Sequence, residues 1–200
     1  MNIPFEFVGG NPSLDLVNTR MHRDADGGPD DLLETPGAAA AWFEAAGLLS
    51  SEEVHALDPE LALFSARRLR GALETLYFGL ARGQSDLAQE ERSLNTLNTL
   101  LEGGVERIRL ERTAQGFERV TRLTALGPFD PTLKLARGAA NFLQGLEPVR
   151  LKQCQGEGCD LLFYDETRNL SRRWCSMDGC GNRDKQARYR KRVYAKTLKP

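Results

Sequence analysis

Cys154-Gln155-Gly156-Glu157-Gly158-Cys159 and Cys175-Ser176-Met177-Asp178-Gly179-Cys180 hold all four cysteines of this 200-residue chain within 27 residues. The pairs match: each is Cys-x4-Cys with glycine inside the gap, and the second runs into Gly181-Asn182-Arg183. Four thiolates in two pairs are the donor set of a tetrahedral structural zinc, and four protein ligands leave no open position for a catalytic water. The glycines permit the positive φ angles that tight metal knuckles use. Leu161-Leu162-Phe163-Tyr164 reads as a strand after the first knuckle, and 182 to about 197 as a helix after the second. Knuckle, hairpin, knuckle and helix follow one another in a treble-clef-like order. Two disulfides or an iron–sulfur cluster could use the same four residues. Neither His22 nor His55 lies near the cysteines in sequence.

Charge divides the chain at the same place. Residues 150–200 carry 13 Lys+Arg against 6 Asp+Glu, a balance of +7; residues 1–149 carry 14 against 22, a balance of −8. An acidic body with a basic end points to an anionic partner for that end, or to the two halves neutralising each other by packing. Lys185, Arg188, Arg192, Lys196 and Lys199 are spaced 3, 4, 4 and 3, so they share one helix face. Tyr189 and Val193 are expected to pack inward beside them. With Arg172, Arg173 and Arg183, the residues Lys185, Arg188 and Arg192 are the candidate contacts to a nucleic acid.

Upstream, the pattern predicts an α+β domain over 1–148, mainly helical with a β-hairpin and a short strand; the finger occupies 149–200. Phe5-Glu6-Phe7-Val8 alternates and meets Gly9-Gly10, which reads as the short strand and a turn. Asn11-Pro12-Ser13 starts a helix, Thr35-Pro36 a second and Ser50 or Ser51 a third. Asp58-Pro59 opens the longest, to about Arg82, and Asp86 the next, to Glu102. Residues 105–110 and 117–123 alternate around a turn ending in Gly116, predicting a hairpin with one buried face. Asp130-Pro131 caps a helix to about Leu143. The polar stretch 23–31 reads as a loop.

Cys159-x3-Phe163-x-Asp165, Arg172-Arg173-Trp174-Cys175-Ser176 and Cys180-Gly181-Asn182-Arg183 together resemble the CGNR zinc finger, a bacterial C-terminal module. Phe7-Val8-Gly9-Gly10 with Leu14-Asp15-Leu16-Val17-Asn18-Thr19 is similar to the opening of the ABATE domain, which precedes that finger in a family of stress-induced transcription regulators. The resemblance implies a zinc-stabilised, DNA-binding module and places the metal ligands on Cys154, Cys159, Cys175 and Cys180. It leaves the job of the N-terminal domain open. Asp15, Asn18, Thr19 and Arg20 could line a pocket for a small-molecule effector, or could cap helices and satisfy buried backbone groups.

These readings make the chain a zinc-dependent DNA-binding transcription regulator. The alternatives are a zinc-stabilised module that docks an acidic protein, or one that binds RNA through an exposed Tyr189 or Trp174. An enzyme is not expected: no nucleophile–base constellation, phosphate-binding glycine loop or HExxH motif is present. There is no 18-residue apolar run, and the first residues lack a basic stretch followed by an apolar one, so the expected location is the cytoplasm. A dimer is compatible with the sequence, but no heptad argues for one.

Overall fold

The computed structural model describes residues 5–20, 31–84, 86–127 and 130–197, and the side chains of 194–197 lie outside the description. Helix starts follow the polar-cap rule closely. The Asn11 side chain accepts from the Ser13 amide at the head of α1 (Pro12–Asn18), with Pro12 in the first turn. Thr35 caps α2 (Pro36–Ala45). Ser50 and Glu53 form a reciprocal capping box on α3 (Ser51–His55). Asp58 heads α4 (Pro59–Arg82), which Gly83 closes at φ 61°. Asp86 heads α5 (Leu87–Leu101), and the Asp130 carboxylate accepts from the amide and hydroxyl of Thr132 at the start of α6 (Thr132–Gly145).

The core forms where α2, α5 and α6 pack around α4, with Trp42, Phe43, Leu69, Leu73 and Tyr77 inside. Helix α1 is short, yet every residue from Ser13 to Asn18 is buried. Ser13 bonds the Tyr77 hydroxyl at 2.6 Å within that interior. Arg70, also buried, grips Asp31 with two 2.6 Å bonds and donates to Thr19. A buried arginine is tolerated there because its charge is paired in bidentate geometry.

Strands β1 (Gly104–Thr113) and β2 (Gly116–Ala125) form an antiparallel hairpin in register from Gly104↔Ala125 to Thr113↔Gly116. The expected buried face does not exist: neither strand contains a buried residue. The alternation is real, but only the base of the hairpin meets the helical body, where Gly104 lies against Leu133 and Glu106 pairs with Arg137 of α6. A second short hairpin pairs β3 (Leu151–Gln153) with β4 (Leu162–Tyr164). Here alternation divides two cores. Leu151 and Leu162 join the helical core, with Tyr164 packed against it, whereas Leu161 and Phe163 pack among the four cysteines.

Residues 5–8 do not form the expected strand. Gly9, just after it, accepts one backbone bond from the Tyr164 amide of β4 at 2.8 Å. The rest of that edge is claimed by Asn18, whose amide side chain donates to the Leu162 carbonyl and accepts from the Leu162 N–H. A one-turn coil at Met177–Gly181 leads into α7 (Asn182–Thr197). No helix among the described residues is long and apolar enough to cross a membrane.

Candidate metal centre and basic helix

The four sulfurs of Cys154, Cys159, Cys175 and Cys180 lie within 4.8 Å of one another, and all four residues are buried. Tetrahedral thiolates about 2.3 Å from a zinc ion stand about 3.8 Å apart. The Sγ atoms of Cys159 and Cys175 are 3.8 Å apart, and those of Cys175 and Cys180 are 3.5 Å apart. These separations fit a shared metal and are far beyond a disulfide bond. Burial and the neighbouring Cys175 push the Cys180 thiol up to about 11. A divalent cation removes that opposition to ionisation, so the donor set fits Zn²⁺ and the site is a structural one.

Two glycines make the first knuckle. Gly158 adopts φ 70°, a left-handed conformation that side chains disfavour. At Gly156 a Cβ would sit 2.9 Å from both Cβ and Sγ of Cys180, so only glycine lets the backbone pass the sulfurs. Amides also face the sulfurs: Cys175 N–H and Gly156 N–H both point at Cys154 Sγ, at 3.3 and 3.4 Å. Such donors stabilise a thiolate bound to metal.

Two of the arginines expected at a nucleic acid make contacts at the metal centre. Arg183 donates to Cys180 Sγ at 3.0 Å. Arg172 engages every guanidinium nitrogen: Nε reaches the Trp174 carbonyl, and the terminal nitrogens reach the carbonyls of Tyr164, Val8 and Cys175. Its guanidinium also lies 4.3 Å above the Phe163 ring. Arg172 is therefore a clamp joining β4 and the second knuckle to the N-terminal chain. Single-sequence reading had no means of separating it from Arg173, which is exposed, bonds Gln155 and stacks on Trp174. Lys152 and Asp165 complete the support. The Asp165 carboxylate, fully buried, accepts from Lys152 Nζ, from the Thr167 amide and hydroxyl, and from the Arg172 amide.

Helix α7 differs from expectation in one respect. Tyr189 is 67% exposed and Val193 44% exposed, so neither packs inward. The helix continues from the second knuckle and lies out from the body. It carries seven Lys+Arg and one acidic residue, Asp184, which pairs with Arg188. Lys185, Arg188 and Arg192 are exposed as the spacing predicted. Arg190 and Lys191 are exposed too.

The N-terminal candidates separate likewise. Asn18 and Thr19 are buried and spend their side chains on Leu162, Leu16 and Arg70. Asp15 is buried and accepts from the Gly9 amide at 2.7 Å. Only Arg20 reaches solvent, pairing with Glu74 beside an open cleft of about 620 Å³. That cleft lies between α4 and the finger, where Arg82, Gln153 and Asp160 also line it.

Burial pushes the Asp15 carboxyl up to about 6, against the lowering pull of the Gly9 and Val8 amides and the Arg172 charge. A carboxyl raised on folding stabilises fully below its unfolded value near 4, and that stability drains as pH rises through 6. The whole effect is about 3 kcal/mol. The stability of the protein relative to Asp15→Asn, read from urea midpoints, should fall by about 1 kcal/mol between pH 5 and 7. A difference that stays flat with pH would contradict the raised value.

Two family models match the chain. The CGNR zinc finger matches residues 150–193. The ABATE model, described as "Putative stress-induced transcription regulator", matches residues 10–146. Comparison with curated proteins returns no match.

Proposed function

The chain belongs to the ABATE family and ends in a CGNR zinc finger, and from that premise we propose a zinc-dependent, DNA-binding transcription regulator that grips DNA with α7. The observation that carries this reading is the helix itself. None of its described side chains is buried, it holds seven cations against one anion, and it is fixed at its first turn to the metal knuckle. An isolated helix of this length is marginal in water. A phosphate backbone would supply the missing partner, with Arg173, Lys185, Arg188, Arg190, Lys191 and Arg192 as contacts. The acidic N-terminal domain would repel DNA and so orient it toward α7. That domain would be regulatory, and an effector in the cleft beside Arg20 would touch α4 and the finger together.

The test is selection of bound duplexes from a random pool by the zinc-loaded protein, followed by salt titration. Arg190→Ala with Arg192→Ala should lower affinity about tenfold and reduce the slope of log K against log salt by about 2. Unchanged binding would remove α7 from the interface. Recovery of no duplex above background would favour docking to an acidic protein. The exposed ring of Tyr189 favours a second reading, single-stranded RNA. Under it, Tyr189→Ala weakens RNA binding and leaves duplex DNA unaffected.

A further inference from the structure

We infer that the β1–β2 hairpin is a second nucleic-acid contact, a basic ribbon that enters a groove of the duplex. This rests on the chain binding a nucleic acid, and is independent of α7 being a contact. The hairpin carries five arginines against three glutamates, whereas the rest of residues 1–149 carries 9 basic against 19 acidic residues. All five arginines are exposed. Two of the acids are already engaged: Glu106 pairs with Arg137 of α6, and Glu111 with Arg122. Among the described residues, Arg107, Arg109, Arg112 and Arg119 have no anionic partner, and Glu118 is the one glutamate of the hairpin left over. The register also sets Arg107 opposite Arg122 and Glu111 opposite Glu118. Like charges directly across a ladder oppose pairing, so this charge pattern does not serve the hairpin's own stability.

The unpartnered arginines divide between the two faces of the ribbon. Arg107 and Arg109 share one face with Val105 and Val120, while Arg112 and Arg119 share the other with Ile108, Leu110 and Phe117. A flat anionic surface, such as a membrane or the side of an acidic protein, meets one face and leaves the other pair of guanidinium groups in water. A duplex groove has phosphates along both walls, and the major groove admits a two-stranded ribbon. Placed edge-on there, the ribbon directs Arg107 and Arg109 to the phosphates of one strand, and Arg112 and Arg119 to those of the other. The apolar side chains suit the same place. Phe117 is 71% exposed, next to Gly116 at the turn, with the Arg112 guanidinium 5.3 Å from its ring centroid, and Leu110 is 74% exposed. In the groove they meet thymine methyl groups in place of water. The rest of the N-terminal domain is acidic and repels the duplex, which confines that domain's contact to the hairpin.

Salt titration of the full, zinc-loaded chain on a mixed-sequence duplex tests this, with phosphatidylserine vesicles as the competing surface. Arg107→Ala with Arg109→Ala should lower duplex affinity about tenfold and the slope of log K against log salt by about 2; Arg112→Ala with Arg119→Ala should do the same. Arg68→Ala with Arg92→Ala removes the same charge from exposed positions on α4 and α5 and should leave the slope unchanged. All six side chains are exposed, so the circular dichroism should not change. Duplex binding that survives either hairpin pair with its slope intact would overturn the inference, even where Arg190→Ala with Arg192→Ala weakens it. Loss with the hairpin pairs alone would uphold the inference and remove α7 from the interface. A chain that binds no duplex overturns both. Vesicle binding that the hairpin pairs abolish, with the duplex slope at its wild-type value, would assign the hairpin to a membrane instead.

Discussion

Removing zinc from the intact protein with a chelator should melt the finger and release α1 while leaving most of the helical signal in place. The argument starts from size. Residues 150–181 contribute two three-residue strands and two knuckles, and their second core is built on the four cysteines. Without the metal, four buried thiols face one another with no charge to hold them. Structural zinc supplies about 10–16 kcal/mol in comparable modules, more than the typical net stability of a domain. The melt should not stop at the finger. Leu151 and Leu162 belong to the helical core, and the Tyr164 ring packs edge-on against Phe142 at 5.1 Å. Helices α2 and α4 hold Trp42, Phe43, Leu69 and Leu73 among themselves, so they should persist. The measurements are far-UV circular dichroism, near-UV circular dichroism and limited proteolysis. Expected are a modest loss of helix, loss of the near-UV signal and new cleavage within 150–181. Cys175→Ser should reproduce this without chelator. An apo protein as resistant to protease as the zinc-loaded one would defeat the structural-zinc assignment.

The sequence was most informative where chemistry is local. Helix caps at Thr35, Asp58 and Asp86 depend on a side chain two or three residues from the amide it serves, and all three were legible; at α6 the N-cap is Pro131, and Asp130 before it accepts from the Thr132 amide. The four cysteines were legible because metal ligation restricts residue type and spacing together. Reading failed where the outcome depended on what lies opposite. Residues 105–110 alternate whether or not anything covers them, so alternation predicted a buried face that the hairpin lacks. Tyr189 and Val193 have helical spacing, but both are exposed. Arg172, Arg173 and Arg183 look alike in sequence. Only the fold shows that one clamps carbonyls, one is exposed and one faces a sulfur. Residues 5–8 have strand composition, yet Asn18 already occupies the edge of β4 they would have joined.

Asn18→Ala should cost about 3 kcal/mol or more, although the residue touches neither the metal nor α7. Its side chain stands in for a neighbouring strand. It offers a donor to the Leu162 carbonyl at 2.9 Å and an acceptor to the Leu162 N–H at 2.8 Å, with both residues buried. Alanine leaves both backbone groups dry and unpaired, and each such group costs about 1–3 kcal/mol. For a chain of this length the melting temperature should fall by about 10 °C. Amide exchange at Leu162 should accelerate more than exchange in α4, because the lesion is local before it is global. Asn18→Asp sharpens the test. Ionised, it keeps the acceptor but turns a second oxygen toward the Leu162 carbonyl, which is repulsive in a buried site. Protonated, it regains a donor. Burial without a cationic partner raises such a carboxyl, so its stability should recover as pH falls toward 5, whereas Asn18→Ala should show no such recovery. Equal loss in both variants at every pH would mean that the site needs the volume of asparagine and not its two hydrogen bonds. The same edge of β4 joins the finger to α1, so these variants also ask whether the zinc module holds its shape without the N-terminal domain. If DNA affinity survives Asn18→Ala at a temperature where α1 has loosened, α7 and its knuckle act alone. If affinity falls with the loosening, the contact between α1 and β4 is the route by which the N-terminal domain governs the finger.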